Sequence, residues 1–239
     1  MSERAQRGLV VIPAYNEEAN IAQVVREVRA QLPDADIVVV DDGSRDNTAQ
    51  EARAAGAVVL RLAVNLGDGA ARQTGFKYAQ QGGYDWVVQL DGDGQHRPES
   101  IPRLLAPILD GSADLVIGSR FLGEEGYRVQ PSRRLGQLIF GAIASLVTGQ
   151  PITDPTSGFR AMNRKVVDYF CTNAYPQQYP DADVLITAHF AGFRLKEVPA
   201  RMRQSVTGQT IHAGLRPLYY IYKMGLSIFV TLLRGRRVR

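Results

Sequence analysis

The first 119 residues repeat one pattern, in which a short, continuously apolar run is followed by an amphipathic stretch. The apolar runs cover 8–12, 36–40, 57–62, 84–90 and 113–119, and helical spacing of apolar residues predicts helices over 17–32, 44–56, 69–81 and 98–109. Because the runs are apolar throughout rather than alternating, they predict a mostly parallel central sheet with helices on both faces. The expected fold class is therefore α/β.

Three polar segments follow strands of this predicted sheet. PAYNEE follows the first run, DDGS the second and DGDGQ the fourth. The carboxyl ends of parallel strands meet at one edge of a sheet, and ligands of open α/β sheets bind there. We expect the three segments to converge on that edge.

The segment after the fourth strand contains two carboxylates one residue apart, Asp91 and Asp93, with Gly92 between them. Glycine permits the tight backbone turn that would aim both carboxylates at one point. Hard oxygen ligands of this kind suit Mg²⁺ or Mn²⁺, with substrate phosphates and water completing the coordination shell. The alternative is a turn without a ligand, since Asp and Gly are common turn residues.

Two further segments are typical of nucleotide contacts. Asp42 could reach a base or ribose and Tyr15 could face a base, although a helix cap and a half-buried tyrosine would explain the same residues. NLGDGAAR, residues 65–72, begins the third predicted helix with small residues. It could lie near phosphates, with Arg72 supplying positive charge, or pack tightly against the sheet.

The second half of the chain is basic, whereas the first half is acidic. Residues 1–119 carry 11 Lys and Arg against 17 Asp and Glu, and residues 120–239 carry 17 against 7. The basic half indicates an anionic partner: nucleic acid, an anionic membrane or a phosphorylated acceptor. Cys171 has no partner for an intramolecular disulfide, which favours a reducing compartment. Residues 1–8 lack the apolar core of a signal peptide, and 1–7 are expected to form a flexible tail.

The elements predicted after residue 120 are less regular: helices over 133–149 and 183–192, and strands over 156–163 and 193–203. The segment 135–148 could form core, a subunit contact or a membrane-facing helix. The tail from 218 to 239 is a hydrophobic helix with a basic end. Its apolar run of roughly 16 residues is shorter than the roughly 20 that span a bilayer, so we expect it to lie on a membrane surface or contact a protein partner.

Seven motifs in order, VIPAYNEE, VVVDDGS, NLGDGAAR, QLDGDGQH, VIGSRF, DPTSGFR and KEVP, resemble those of family 2 glycosyltransferases with the GT-A fold. Within that family the chain is most similar to polyprenyl-phosphate sugar synthases, over roughly residues 8–212. The resemblance implies a GT-A catalytic domain over 8–211, with a nucleotide-sugar and metal half (8–119) and an acceptor half (120–211), followed by the helix of 212–239.

The resemblance also implies roles for individual residues. Nucleotide contacts fall on the first strand end and the acidic turn: Pro13, Ala14, Tyr15, Glu17 and Asp42. Metal contacts fall on Asp91, Asp93 and Gln95. The acceptor phosphate is expected near Arg120 and near an arginine ahead of the amphipathic helix, either Arg133 or Arg134. The TSGFR segment, which ends at Arg160, lies on the acceptor side.

Two positions depart from the pattern of related synthases. Asp183 stands where they tend to have Glu, and Ser205 where they tend to have Arg, a role that Arg201 or Arg203 could take over. If the acceptor were a sugar hydroxyl, it would need a general base, and Asp183 is the first candidate.

The predicted function is an inverting transferase that moves a hexose from a UDP- or GDP-sugar to polyprenyl phosphate at the cytoplasmic face of the membrane. Transfer to a saccharide hydroxyl is the alternative. No nucleic-acid partner is expected, whereas a homo-oligomer or a membrane-protein partner could bind the C-terminal helix. A dinucleotide-dependent dehydrogenase is disfavoured because the first strand is not followed by G-x-G-x-x-G.

Overall fold

The computed structural model describes residues 6–123, 131–176, 180–203 and 216–235, with side chains from residue 136 in the fifth helix and for 222–233 in the last. The strands are β1 (Gly8–Ala14), β2 (Asp36–Asp41), β3 (Val58–Arg61), β4 (Trp86–Gln89), β5 (Leu115–Ser119), β6 (Arg160–Asn163) and β7 (Leu195–Pro199). The helices are α1 (Ile21–Gln31), α2 (Thr48–Ala54), α3 (Asp68–Gly82), α4 (Ile101–Leu109), α5 (Pro131–Thr148), α6 (Arg164–Phe170), α7 (Ala182–Phe190) and α8 (Arg216–Gly235).

All seven strands form one sheet in the order β3-β2-β1-β4-β6-β5-β7. Six strands are mutually parallel, and β6 is antiparallel to both of its neighbours, β4 and β5. This arrangement confirms the mostly parallel sheet predicted from the apolar runs. Because β6 runs in the opposite direction, its first residue, Arg160, pairs with Gln89 at the end of β4. The chain segment before β6 therefore lies at the same edge as the segment after β4.

The central strands β1, β4 and β5 bury both faces, as their uniform apolarity requires, whereas the edge strands β3 and β7 are partly exposed. Val10 and Ile12 of β1 face a core that includes α1 and α4, whereas Leu9 and Val11 face a second core that includes α3, α6 and α7. Successive side chains of a strand point to opposite faces, so one apolar strand supplies both layers. The sheet is thus a rigid platform whose carboxyl edge is the natural place for a site.

Several predicted elements differ from the observed ones in their limits. The first helix begins at Ile21 rather than 17, because residues 17–20 form a turn in which Asn20 and Ile21 donate backbone hydrogen bonds to the Glu17 carbonyl. Residues 156–159 of the predicted strand precede β6 and are not part of it, and α6 directly follows β6 where no helix was predicted.

Helices α5, α7 and α8 form a smaller apolar cluster beside the sheet, which includes Phe140, Ala182, Ile186, Met224 and Ile228. The opposite sides of α5 and α8 carry exposed apolar side chains, among them Leu138, Leu146, Tyr222, Leu226 and Phe229. Among the described residues, no helix has the length and apolarity needed to cross a membrane.

Candidate active site at the carboxyl edge of the sheet

The DGD segment follows β4, as predicted, and Asp91 is anchored by Arg72 and His96. Arg72 of α3 donates from Nη2 to Asp91 Oδ1 at 3.1 Å, and the Asp91 backbone N–H donates to His96 Nδ1 at 3.0 Å. Burial raises the pKa of Asp91, but the charge of Arg72 first, and then those of further arginines, outweigh it and lower the pKa. Asp91 is therefore held ionised at the edge of the sheet.

Asp93 is held by Gln95, the third of the predicted metal-binding residues. The Gln95 backbone N–H donates to Asp93 Oδ1 at 2.9 Å, and Gln95 Nε2 donates to Oδ2 at 2.6 Å. Burial first, and then the charges of Asp91 and Glu17, raise the pKa of Asp93 to about 6. Carboxylates from the first and fourth strand ends thus repel one another here, and a divalent cation would relieve that repulsion.

The acceptor-side segment TSGF, residues 156–159, lies against the Asp91 carboxylate. A Cβ placed on Gly158 would lie 2.8 Å from Asp91 Oδ2 and 2.9 Å from Oδ1, so only glycine fits without a displacement. Gln89, on β4, donates from Nε2 to the Gly158 carbonyl at 2.7 Å and fixes the segment to the sheet. The antiparallel direction of β6 is what brings these residues together.

The first two acidic segments are joined by hydrogen bonds. The Asn16 backbone N–H donates to Ser44 Oγ at 2.9 Å, and the Glu17 N–H donates to Thr48 Oγ1 at 2.7 Å. Pro13 and Ala14 are buried in β1, whereas Tyr15 is 42% exposed and is able to present its ring to a ligand.

The Asp42 carboxylate accepts from the backbone N–H groups of Leu66 and Gly67, at 2.7 and 2.9 Å. It therefore ties the acidic turn after β2 to the start of α3. Arg72 lies one turn into that helix, where its side chain is buried and also donates from Nε to Asp68 at 2.8 Å. Asp42 thus fixes the loop that leads into α3, and Arg72, within that helix, points toward the DGD segment.

Arg120 directly follows β5 and forms a bidentate ion pair with Asp154. Arg120 Nε and Nη2 donate to Asp154 Oδ2 and Oδ1, each at 2.6 Å, and the backbone N–H of Arg120 donates to Oδ2 at 3.0 Å. Burial is the main cause of the lowered pKa of His96 and the charge of Arg72 is that of the lowered pKa of Asp91, and the charge of Arg120 contributes to both shifts. The cation therefore acts on the DGD segment, although it is carried by a different strand.

Arg160 and Asp183 lie deeper than the resemblance suggests for residues that would touch an acceptor. Arg160 is 1% exposed and donates to the carbonyls of Pro180 and Asp181, at 3.1 and 3.2 Å. Asp183 is fully buried and accepts a hydrogen bond from Ser227 of α8. Burial raises the pKa of Asp183 to about 7.

Comparison with known proteins identifies the family. The model of "Glycosyl transferase family 2" matches residues 9–170, more than half of the chain. The chain belongs to glycosyl transferase family 2. It is 34% identical over 218 residues to polyprenol monophosphomannose synthase of Mycolicibacterium smegmatis, covering 87% of this chain and 82% of that protein.

A second relative of this family 2 glycosyltransferase is UDP-N-acetylglucosamine–dolichyl-phosphate N-acetylglucosaminyltransferase of Methanococcus voltae, 31% identical over 211 residues and covering 80% of this chain and 84% of that protein. The structure of this chain is similar to that of glucosyl-3-phosphoglycerate synthase from Mycobacterium tuberculosis in complex with Mn²⁺, UDP-glucose and phosphoglyceric acid. That similarity has a TM-score of 0.68 at 23% identity, over 97% of this chain and 80% of the other. These findings confirm the GT-A fold and the resemblance to polyprenyl-phosphate sugar synthases.

The DGD segment of the glycosyltransferase fits a divalent cation only together with a substrate. Among the described residues, no group of three or more His, Cys, Asp or Glu side chains could hold a metal ion. Asp91 and Asp93 offer two hard, mutually repelling carboxylates, and Mg²⁺-like ions commonly take one or two carboxylates plus substrate phosphates. Diphosphate oxygens and water would have to complete the shell.

Sequence reasoning did not assign roles to His96, Asp154 or Glu197, although each lies in or next to a quoted motif. Their roles depend on contacts between segments that are distant in sequence, and no local pattern reveals such contacts. The side chains of Arg133 and Arg134, and all of Ser205, lie outside the described residues. Arg203, considered as a replacement for the missing arginine, donates to Glu27 at 2.9 Å.

Proposed function

We propose that this family 2 glycosyltransferase transfers a hexose, with inversion, from a UDP- or GDP-sugar to the phosphate of a polyprenyl phosphate. The observation that carries the proposal is the contrast between Arg120 and Asp183. The guanidinium lies 15% exposed, in electrostatic range of the DGD segment, whereas Asp183 is fully buried beneath α8. A phosphate acceptor needs a cation to neutralise it and no strong base, whereas a hydroxyl acceptor needs the base.

On the donor side, the diphosphate leaving group gains negative charge as its bond to the sugar breaks. Mg²⁺ or Mn²⁺, held by Asp91, Asp93 and Gln95, would supply Lewis-acid stabilisation of that charge. Arg72 holds Asp91 ionised and oriented for this role, at 3.1 Å. In this proposal the exposed ring of Tyr15 faces the base of the nucleotide, and the Asp42 hydrogen bonds to Leu66 and Gly67 hold the adjoining loop in place.

On the acceptor side, Arg120 neutralises the acceptor phosphate and brings its oxygen toward the anomeric carbon. An interaction with charge that grows in the transition state accelerates the reaction more than one made equally in the ground state. Arg133 or Arg134 is proposed to supply a second positive charge. The names of the two lipid-phosphate relatives support this acceptor, and the different sugars in those names leave the donor to experiment.

We place the enzyme peripherally at the cytoplasmic face of the membrane. Exposed apolar side chains on α5 and α8, such as Leu146 at 85% and Phe229 at 58%, support contact with lipid. Basic residues at 236, 237 and 239 follow α8 in the sequence, and anionic lipid would attract each by about 1 kcal/mol.

The test is transfer of label from UDP- and GDP-hexoses to short-chain polyprenyl phosphate, with Mn²⁺ or Mg²⁺ and with chelator. Metal-dependent formation of a lipid-linked sugar is expected. Asp183→Asn should retain activity, and Arg120→Ala should lower it by at least about 100-fold and leave a measurable residual rate. Transfer only to saccharide acceptors, with Asp183→Asn inactive and Arg120→Ala active, would refute the phosphate acceptor.

A further inference from the structure

The Arg120 guanidinium, which is proposed to bind the acceptor phosphate, is held in one orientation by a buried carboxylate, that of Asp154. Asp154 is 0% exposed and receives three hydrogen bonds from Arg120, two from the guanidinium and one from the backbone N–H. Thr156 Oγ1 accepts a further bond from Arg120 Nη2 at 2.8 Å. Paired bonds to a planar guanidinium fix the plane of the group as well as its position.

Asp154 is itself braced by a second carboxylate, Glu197 of β7. Glu197 Oε1 accepts from the Asp154 backbone N–H at 2.9 Å, while Oε2 accepts from the backbone N–H and the hydroxyl of Thr153, both at 2.8 Å. Glu197 pairs with Ile117 in the sheet register, two residues before β5 ends at Ser119. These hydrogen bonds therefore connect residues 153–154 to β7, which pairs with β5, the strand that Arg120 follows.

We infer that Asp154, braced by Glu197, is a positioning residue that orients the Arg120 guanidinium for the acceptor phosphate. The inference rests on the proposed function, since it assigns Arg120 to the acceptor. A long arginine side chain without such a partner samples many rotamers and loses their entropy on binding a phosphate. With Asp154 present, that ordering is already achieved before the acceptor arrives.

A second ion pair in the chain, Arg194 with Asp114, has the same hydrogen-bond pattern and lies away from the site. Asp114 accepts from Arg194 in the same pattern, with backbone N–H and Nε on Oδ2 at 2.9 and 3.0 Å and Nη2 on Oδ1 at 3.0 Å. This pair lies before the amino end of β5, whereas Arg120 and Asp154 lie beyond its carboxyl end. The control pair is less buried, with Arg194 58% and Asp114 13% exposed against 15% for Arg120 and 0% for Asp154, and only the Arg120 pair adjoins the site.

The experiment compares Asp154→Asn with Asp114→Asn in the full chain, using labelled transfer to farnesyl phosphate and calorimetric binding of UDP or GDP with Mn²⁺. For Asp154→Asn we expect kcat/KM for the acceptor to fall by about 10- to 100-fold, while the Kd of the nucleotide changes less than about 2-fold. Asp114→Asn should change neither. Glu197→Gln should lower kcat/KM for the acceptor by a smaller factor, and it takes the place of Asp154→Asn in the comparison if that variant does not fold.

A double-mutant cycle adds a measurement that a structural role would not affect. In an Arg120→Ala background, Asp154→Asn should cause no further loss, because the group it orients is gone. Equal losses for Asp154→Asn and Asp114→Asn, or a full further loss in the Arg120→Ala background, would overturn the positioning role while leaving the proposed function intact. Absence of transfer to any prenyl phosphate by the wild-type chain would overturn the proposed function, and this role with it.

Discussion

Replacement of Gly158 by alanine tests whether the acceptor-side segment and the DGD segment share one site. The new Cβ would lie 2.8 Å from Asp91 Oδ2 and 2.9 Å from Oδ1, and 3.2 Å from Arg72 Nη2. Ordinary contacts begin at 3.4 Å. The carboxylate must therefore move by about 0.5 Å, or the segment must move away from it by a similar distance.

The expected effect follows from the short bonds of a divalent cation. Mg²⁺ demands oxygen ligands at about 2.0–2.1 Å in near-ideal geometry, so a displacement of about 0.5 Å disrupts one ligand. A misplacement of about 1 Å costs about 100-fold in rate, so we expect Gly158→Ala to lower kcat/KM by about 10-fold or more. Overpacking should also cost about 1–3 kcal/mol of unfolding free energy.

The assay is metal-dependent binding of nucleoside diphosphate by calorimetry, together with labelled transfer and urea unfolding. Gly82→Ala is the control: its Cβ would meet Tyr84 Cε2 at 2.5 Å, at the end of α3 and beside Asp36 at the start of β2, away from the DGD segment. The control should lose stability and keep metal-dependent binding in its folded fraction. If Gly158→Ala binds metal and nucleotide as tightly as wild type, the two segments do not share a site.

Three further predictions concern charge, pH and the membrane. Asp93→Asn should abolish metal-dependent nucleotide binding, measured by calorimetry with Mn²⁺, and leave urea stability equal or higher, because it removes repulsion from Asp91; unchanged metal dependence would contradict the metal role. Burial raises the folded-state pKa of Asp183 to about 7 from 3.8, despite opposition from Ser227 and Arg160, so stability should fall as pH rises from about 4 to 7. In urea unfolding at pH 5 and 8 this dependence should amount to up to about 3 kcal/mol for the wild type, and Asp183→Asn should flatten it; an unchanged slope would show that Asp183 is not its source. Phe229→Glu should reduce co-sedimentation with anionic vesicles, whereas Leu109→Glu, at a site that is 50% exposed at the end of α4, should not; equal sedimentation of both variants and wild type would exclude α8 as a lipid contact.

The strand pattern and the strand-end segments could be predicted because they depend on local order. Continuous apolar runs determine that a strand is covered on both faces, and parallel strands place their carboxyl ends together. That reasoning was sufficient to bring Asp42 and the DGD segment to one edge. It also predicted Asp91 and Asp93 as hard ligands, since that prediction depends on side-chain chemistry alone.

Other features depend on partners that are distant in the sequence. No local signal indicated that β6 would be antiparallel, yet that direction places Gly158 against Asp91. Asp183 stands in a motif position that suggests a base, but α8 packs over it and Ser227 contacts its carboxyl group. Its burial is a property of the helix that covers it, more than 40 residues away.

The sequence by itself determined the layered sheet, the acidic edge and the family, because periodicity, turn chemistry and ordered motifs are local properties. Only the tertiary structure decided which carboxylate is partly exposed at the carboxyl edge, which is buried beneath a helix, and which holds an arginine in place. Those outcomes depend on strand direction and on packing between remote segments, which set burial and charge spacing. Asp91, Asp154 and Asp183 are the same amino acid with three different environments, and those environments are produced by the fold.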